Sequence, residues 1–289
     1  MSYRIYTDAT ADLAPEMLAG LPEIRVIPMD ITLEGRPFTY GPGGTISAEE
    51  FYAAQRAGQF ASTSQVRPDT YLRCFEAGLA EGDDILYLCF SSGLSGTFQT
   101  ACLCAAEVRA AHPGRRIVCV DTLCASVGEG FLVREAARRQ AEGLSLEELA
   151  AWVEERRLLV CHWFTVDTFA HLRHGGRVSG AAAAVGTLLG IKPLLHVSAA
   201  GGLEAVEKPR GVRHAMAAQL ARMRAGWTPE EGRLVVVGHG DCPDRAAGLA
   251  ALVQEAFPDA ETYLAPIGPV IGAHTGPGML ALIFWGTQR

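Results

Sequence analysis

The apolar run Ile85-Leu86-Tyr87-Leu88-Cys89-Phe90 and the hydroxyl-rich turn after it constrain the fold more than any other stretch of this chain. The run reads as a strand. It ends in Ser91-Ser92-Gly93-Leu94-Ser95-Gly96-Thr97, and a helical pattern then runs from about Phe98 to Ala110. Strand, turn and helix in that order bring backbone N–H groups and several O–H donors to one point. The first turn of a helix has unsatisfied N–H groups and carries the positive end of the macrodipole. Such a place holds an anionic group, a phosphate or a carboxylate. The same residues also serve as a plain helix cap with a tight turn.

The first half of the chain repeats this alternation. Strands are expected over 3–7, 24–31, 85–90 and 117–120, with helical patterns over 48–57, 68–80 and 97–110. Ser145 and Glu148 form a capping box, and Leu146, Leu149, Ala150 and Val153 recur at helical spacing behind it. The second half has strand-like runs over 158–166, 191–197, 204–206, 234–237, 261–266 and 280–285. Gly201-Gly202 between two of them reads as a hairpin turn. Helical stretches lie at about 180–189, 212–225 and 244–257. We expect an α/β protein of two domains divided near residue 160. Residues 1–160 carry a mainly parallel sheet, and residues 161–289 a mixed or antiparallel one.

Composition excludes several functions. The formal net charge is −7, which argues against a nucleic-acid-binding surface. No apolar run reaches the roughly 18 residues of a membrane span, so no stable membrane insertion is expected. Met1 leads directly into the strand-like Arg4-Ile5-Tyr6-Thr7 without a signal peptide, and a cytoplasmic protein is expected. The eight cysteines include no C-x-x-C pair and act as small buried hydrophobes in a reducing compartment. Asp8 with Asp12, and His171 with His174, come nearest to a metal-binding set. No ligand spacing completes either, and no metal is expected.

The hydroxyl turn fails as a catalytic signature on residue identity. A nucleophile elbow needs Gly where Thr97 stands. A P-loop needs Lys after its glycines, and this chain has Thr97-Phe98 there. Binding an anionic head group remains. A second hydroxyl group, Ser62-Thr63-Ser64-Gln65, precedes the helix start Pro68-Asp69. His274 lies in a Gly- and Pro-rich stretch over 268–278, where a loop His donates a hydrogen bond or senses charge. His174-Gly175-Gly176-Arg177-Val178-Ser179 reads as a turn that presents polar groups.

These pieces together resemble the DegV family of fatty-acid-binding proteins. The resemblance is carried by Thr63-Ser64-Gln65, by Ser91 through Gln99, by Val120-Asp121-Thr122 and by Val166-Asp167-Thr168. It continues through Gly175-Gly176-Arg177-Val178-Ser179, Leu188-Leu189-Gly190-Ile191-Lys192-Pro193, Glu207-Lys208 and Arg210-Gly211. It ends in Ile267 through Gly272 and His274-Thr275-Gly276-Pro277-Gly278. Any one of these is weak, but in this order over nearly the whole chain they are specific.

The resemblance implies two α/β domains with a long acyl chain, roughly C14–C18, in a tunnel between them. It implies a carboxylate held by Thr63 and by a serine of the hydroxyl turn. Ser92 is preferred to Ser91, because neighbours in alternating geometry face opposite ways. Ser64, Gly93 and Ser95 flank these groups, and His274 adds a polar contact. Leu189, Ile191 and Ile271 are expected to line the tunnel, with Phe60, Phe164, Leu188 and Leu194. Members of this kind present the fatty acid to a separate fatty acid kinase, which phosphorylates the carboxyl group for phospholipid synthesis. Such a carrier has no catalytic residue and no cofactor. Arg177 and Arg210 would face the kinase. The alternative is a hydrolase or transferase acting on a small anionic substrate at the same turn, with Ser92 or Ser95 and His274 as catalysts. The chain departs from the family pattern twice. Val66-Arg67 stand before Pro68, and Ala9 comes after Asp8 where the family more often has a hydroxyl.

Overall fold

The computed structural model describes residues 2–178 and 190–289. Strands β1 (Tyr3–Asp8) and β2 (Ile24–Ile27) open the chain. Pro28 ends β2, although 24–31 reads as a single strand in the sequence. Proline cannot donate to a ladder, and the chain changes sheets there. β3 (Met29–Leu33), β4 (Arg36–Tyr40) and β5 (Ala61–Thr63) form a small antiparallel sheet in the order β4-β3-β5. Helix α1 (Ala48–Arg56) lies between β4 and β5, and a complete Ser47–Glu50 capping box fixes its start.

Next come α2 (Pro68–Ala80), β6 (Asp84–Cys89), α3 (Thr97–Ala111) and β7 (Ile117–Asp121). The main sheet of this half has the order β2-β1-β6-β7, with every pair parallel, as the strand–helix alternation predicts. α2 and α3 cover one face with a core that includes Tyr71, Phe75, Ile85, Tyr87 and Val108. Helix α4 (Val127–Ala141) covers the other face and leads to α5 (Leu146–Arg156), with its expected Ser145–Glu148 capping box.

The second sheet is built from β8 (Val160–Thr165), β9 (Leu194–Val197), β10 (Leu203–Glu207), β11 (Leu234–His239), β12 (Glu261–Pro266) and β13 (Leu280–Trp285). Its order is β10-β9-β8-β13-β11-β12, antiparallel except for the pair β11–β12. β9 and β10 form the hairpin expected at Gly201-Gly202. α6 (Ala170–His174) comes after β8, α7 (Val212–Gly226) and α8 (Pro243–Ala256) cover the outer face, and α9 (Pro269–Thr275) precedes β13. The sequence presents 268–278 as a loop, but α9 is a helix that starts on Pro269, a favoured first position. The helix expected over 180–189 falls outside the described residues.

α4 is the element that joins the two sheets. It packs on β1 of the first and on β8, β11 and β13 of the second. One core therefore runs from Ile5, Leu86 and Leu88 through Phe131 and Leu132 to Phe164, Val236 and Ile283. Full burial of such a side chain contributes about 1.5–3 kcal/mol. This continuous core holds the sheets at a fixed separation, and the ends of the strands enclose a space between them.

Candidate functional site

That space is a cavity at the carboxyl ends of the parallel strands. Thr10 lies just after β1, Phe90, Leu94 and Ser95 just after β6, and Ala125, Ser126 and Val127 connect β7 to α4. Ligands of open parallel sheets bind at this edge, because the loops there diverge. Phe164 of β8 and Ala281 and Ile283 of β13 form the opposite wall. α9 and the residues after β5 complete it with Ile271, His274, Thr63, Ser64 and Gln65.

The polar groups of the cavity gather where β5, α3, α6 and α9 meet. Pairing of Thr63 with Ile31 at the end of β5 places its hydroxyl beside α9. Ile271 and His274 are three residues apart on α9 and share one face of it. His274 Nε2 lies 2.7 Å from Thr63 Oγ1. Gly175 makes room for this ring, since a Cβ there would overlap His274 Nδ1. Burial, with repulsion from Arg177 and His174, pushes the His274 pKa down to about 4. The imidazole is therefore neutral at pH 7. With Nε2 protonated it donates to Thr63 Oγ1, which leaves the threonine O–H to donate onward.

Ser95 stands at the entrance to α3. Its Oγ accepts the Thr97 N–H at 3.2 Å and lies 2.8 Å from Thr97 Oγ1. If Thr97 donates in that pair, the Ser95 hydroxyl proton is free for a ligand. Arg177 holds the Leu94 carbonyl with Nε at 3.3 Å and the Gly175 carbonyl with Nη1 at 2.5 Å. It thus fixes a positive charge on the cavity wall. Two hydroxyls, one cation and the positive end of α3 converge. An anionic head group is the chemistry they accommodate.

Elsewhere the wall is apolar, and its polar residues are bonded within the protein. Thr10 Oγ1 is hydrogen-bonded to Asp8 and lies 2.7 Å from Glu129 Oε2. Ser126 Oγ donates to Asp12 Oδ2 at 2.6 Å. His162 Nδ1 meets the Val160 carbonyl at 2.9 Å, and Nε2 accepts the Ala125 N–H at 3.4 Å. These groups are hydrogen-bonded within the protein and add little polarity to that part of the wall.

Asp12 anchors α9 from the opposite domain, since its Oδ1 also accepts the Gly268 N–H at 2.8 Å, next to the first residue of that helix. Burial pushes the Asp12 pKa up to about 7 against the pull of these two hydrogen bonds, and Asp8 adds repulsion. A carboxyl group raised in the folded state contributes stability that is full below its unfolded value near 4 and is lost as pH rises through about 7. Between pH 5 and pH 8 this one group is expected to remove on the order of 2–3 kcal/mol. Asp12→Asn keeps an acceptor for Gly268, and Asn tolerates the positive φ of 46° found here. Its urea midpoint should therefore fall less than that of wild type over this range. Equal falls would show that Asp12 does not titrate there.

Of the residues singled out in the sequence, Thr63, Ser64, Ser95, Ile271, His274 and Phe164 line the cavity. Arg177, expected on a partner-facing surface, also lines it. Ser91 and Ser92 do not. Ser91 is buried with its Oγ donating to the Gly201 carbonyl at 2.8 Å, a stitch between the two domains. Ser92 is exposed, and its N–H donates to Asp121 Oδ1 at 3.1 Å. Ser95, four and three residues on, is the serine of this turn that faces the cavity. Gly93 does not line this cavity and borders a separate surface pocket with Leu94, Arg177 and Leu203. Ile191 is paired in an isolated bridge with Arg210, which is exposed away from the lining. Leu194 packs on the opposite face of its sheet, in the core under α7 and α8. Phe60 lies outside the lining, with ring centroids 4.8 Å from His171 and 5.0 Å from His174. Leu188 and Leu189 fall outside the described residues. His162 lines the cavity without having been singled out, and no local motif marks it; Gln65 and Thr275 line it as members of two of the quoted motifs, though no site role was given to either. No cluster able to hold a metal is found among the described residues, and none of their helices is long and apolar enough to cross a membrane.

Comparison with known proteins agrees with the motif pattern. The family model described as "Uncharacterised protein, DegV family" matches residues 2–286. A DegV domain-containing protein of Clostridium perfringens is 36% identical, over 99% of this chain and 98% of its own. A DegV family protein from Thermus thermophilus, solved for its fatty acid binding, is 34% identical with a TM-score of 0.86, covering 99% of this chain and all of that one. The Streptococcus pneumoniae Fatty Acid Kinase (Fak) B3 protein, loaded with linoleic acid, shares the fold at 22% identity, with a TM-score of 0.87 and 99% of each chain covered. The two-sheet architecture, the motifs in their order and these matches along the whole chain together make this protein a member of the DegV family.

Proposed function

We propose that this protein binds a long-chain fatty acid between its two domains and presents the carboxylate to a separate kinase. The observation that carries this reading is the shape of the chemistry: a cavity between the two sheets with mostly apolar walls and with polar groups gathered at Thr63, Ser95, Arg177 and His274. An acyl tail supplies the affinity. Each buried methylene contributes about 0.8 kcal/mol, and fourteen of them roughly 11 kcal/mol before the losses of association. The head group then needs orientation more than strength. The hydroxyls of Thr63 and Ser95 bind a carboxyl group in either protonation state, and Arg177 offsets its charge. The fatty-acid binding described for the Thermus thermophilus relative supports the ligand. The kinase rests on the motif resemblance, and exposed Arg210 is the residue assigned to that partner.

The reading of a hydrolase or transferase gains no support. A His base needs a group that orients its second nitrogen, and His274 Nδ1 is buried without a partner among the described residues. The protein is a carrier in this reading, and catalysis belongs to the kinase.

Native mass spectrometry of the purified protein tests the ligand, and addition of a fatty acid kinase catalytic subunit with ATP tests the partner. The expected results are an added mass equal to a long-chain fatty acid, and acyl phosphate formed only when both proteins are present. A protein that neither carries nor takes up fatty acid rejects the reading. Binding without acyl phosphate would leave a fatty-acid carrier that serves another acceptor.

A further inference from the structure

We infer that His162 is the stop against which the far end of the acyl chain rests, and that its bulk sets the longest chain this protein holds. The inference rests on the fatty-acid reading above. β8 and β13 fix the order of residues along the cavity. His274 and Thr275 end α9, and Met279 leads from there into β13. The antiparallel register then sets Thr165 opposite Leu280, Phe164 opposite Ala281 and His162 opposite Ile283. Residues 162, 164, 281 and 283 share the face that lines the cavity. Each two-residue step along the pair leads about 6.6 Å away from α9. Phe164 and Ala281 therefore stand midway, and His162 and Ile283 one step deeper. The other end of β8 agrees with this direction. It runs on into α6, and Gly175 after α6 packs on His274 beside the head-group position. Val197 reaches the deep level from β9, one residue beyond the pair Trp163–His196.

The imidazole is held firmly there. His162 is 2% exposed, and its Nδ1 bond to the Val160 carbonyl sets the plane of the ring. Gly128 of α4 lies directly against the ring, and a Cβ at that position would overlap Nε2. The ring cannot swing aside without moving α4, which carries the core shared by both sheets. Burial and the nearby Arg289 guanidinium keep the imidazole uncharged, as a wall for a hydrocarbon tail requires. A terminal methyl group that reaches His162 meets a rigid end, and a longer chain has to fold back or leave its head group out of register.

Wild type, His162→Ala and His162→Phe are each loaded from one mixture of saturated fatty acids of graded length. The bound acids are then extracted and identified by mass spectrometry. Truncation joins the vacated volume to the cavity, so the distribution for H162A should move up by about two carbons. The preference for the acid two carbons longer should rise roughly tenfold over wild type. H162F should move the distribution to shorter chains. If one variant fails to fold, the other decides. Distributions that match wild type in the folded variants overturn the inference while leaving the carrier reading intact. A wild-type protein that takes up no fatty acid overturns that reading and this inference with it.

Discussion

The double variant Thr63→Val with Ser95→Ala is expected to bind a long-chain fatty acid roughly 10²–10⁴-fold more weakly than wild type. Hydrogen bonds to a charged group are worth about 1.5–3 kcal/mol each, and the variant removes two. The fold should survive. Valine keeps the shape and the strand preference of threonine at the end of β5. Ser95→Ala removes the acceptor of the Thr97 N–H, a loss of about 1 kcal/mol. The His274 ring also loses its Thr63 partner, so a small fall in melting temperature is expected. Displacement of a fluorescent fatty acid measures the affinity, and thermal unfolding checks the fold. Ser92→Ala is the internal comparison. That side chain is exposed and off the cavity wall, and its backbone N–H to Asp121 is untouched by the substitution. Its affinity should equal that of wild type. Full affinity in the double variant, or a comparable loss in Ser92→Ala, would show that the head group does not lie at Thr63 and Ser95.

That comparison also marks where the sequence stops being informative. The hydroxyl turn is legible as a junction of strand, turn and helix because that order can be read locally. Which of its serines faces the cavity cannot be read locally. Ser91 is occupied by the Gly201 carbonyl, 110 residues away in the chain, and only the packed domains supply that partner. The parallel sheet, the Ser145–Glu148 capping box and the Gly201-Gly202 hairpin come from near-neighbour chemistry, and the structure reproduces them. α4 escapes the same reading. It is enclosed by both sheets, so Gly128, Glu129, Gly130 and Leu132 are all buried and no polar stripe marks the helix. α9 is hidden for another reason. Its seven residues start on proline, contain Gly272 and run into Gly276, which read as loop punctuation. Arg177 is legible as part of a motif, but its place on the cavity wall depends on the carbonyls of Leu94 and Gly175.

Glu129 on α4 carries the largest stability effect we expect. Its carboxyl group and that of Asp8 are both fully buried, and both bond the hydroxyl of Thr10. That hydroxyl has one proton and cannot donate to two carboxylates. One of the two acids must therefore carry a proton and donate it to Thr10 Oγ1. Asp8 also accepts from Tyr87 OH at 2.7 Å and from the Thr10 N–H at 3.0 Å, which favours its charged form. Glu129 has only the Thr7 hydroxyl at 3.0 Å besides Thr10, and burial and Asp8 hold its pKa well above the ordinary value. The proton belongs to Glu129. Glu129→Gln reproduces this arrangement, with the amide N–H donating to Thr10 and its carbonyl accepting from Thr7. It should change stability by less than about 1 kcal/mol. Glu129→Ala opens a cavity and strips Thr7 and Thr10 of a partner, and should remove about 3–4 kcal/mol. The raised pKa sets the sign with pH. The wild-type contribution is complete at acid pH and is lost as pH rises through the folded value, because Glu129 must then ionise beside Asp8. E129Q should lack that loss, and urea midpoints measured upward from about pH 4, the unfolded carboxyl value, read it directly. If E129Q proves as unstable as E129A, the carboxyl group is needed in its charged form and the proton lies elsewhere. The bond matters to the cavity as well, because Thr10 and the first turn of α4 are two sides of it, and this shared proton holds them together.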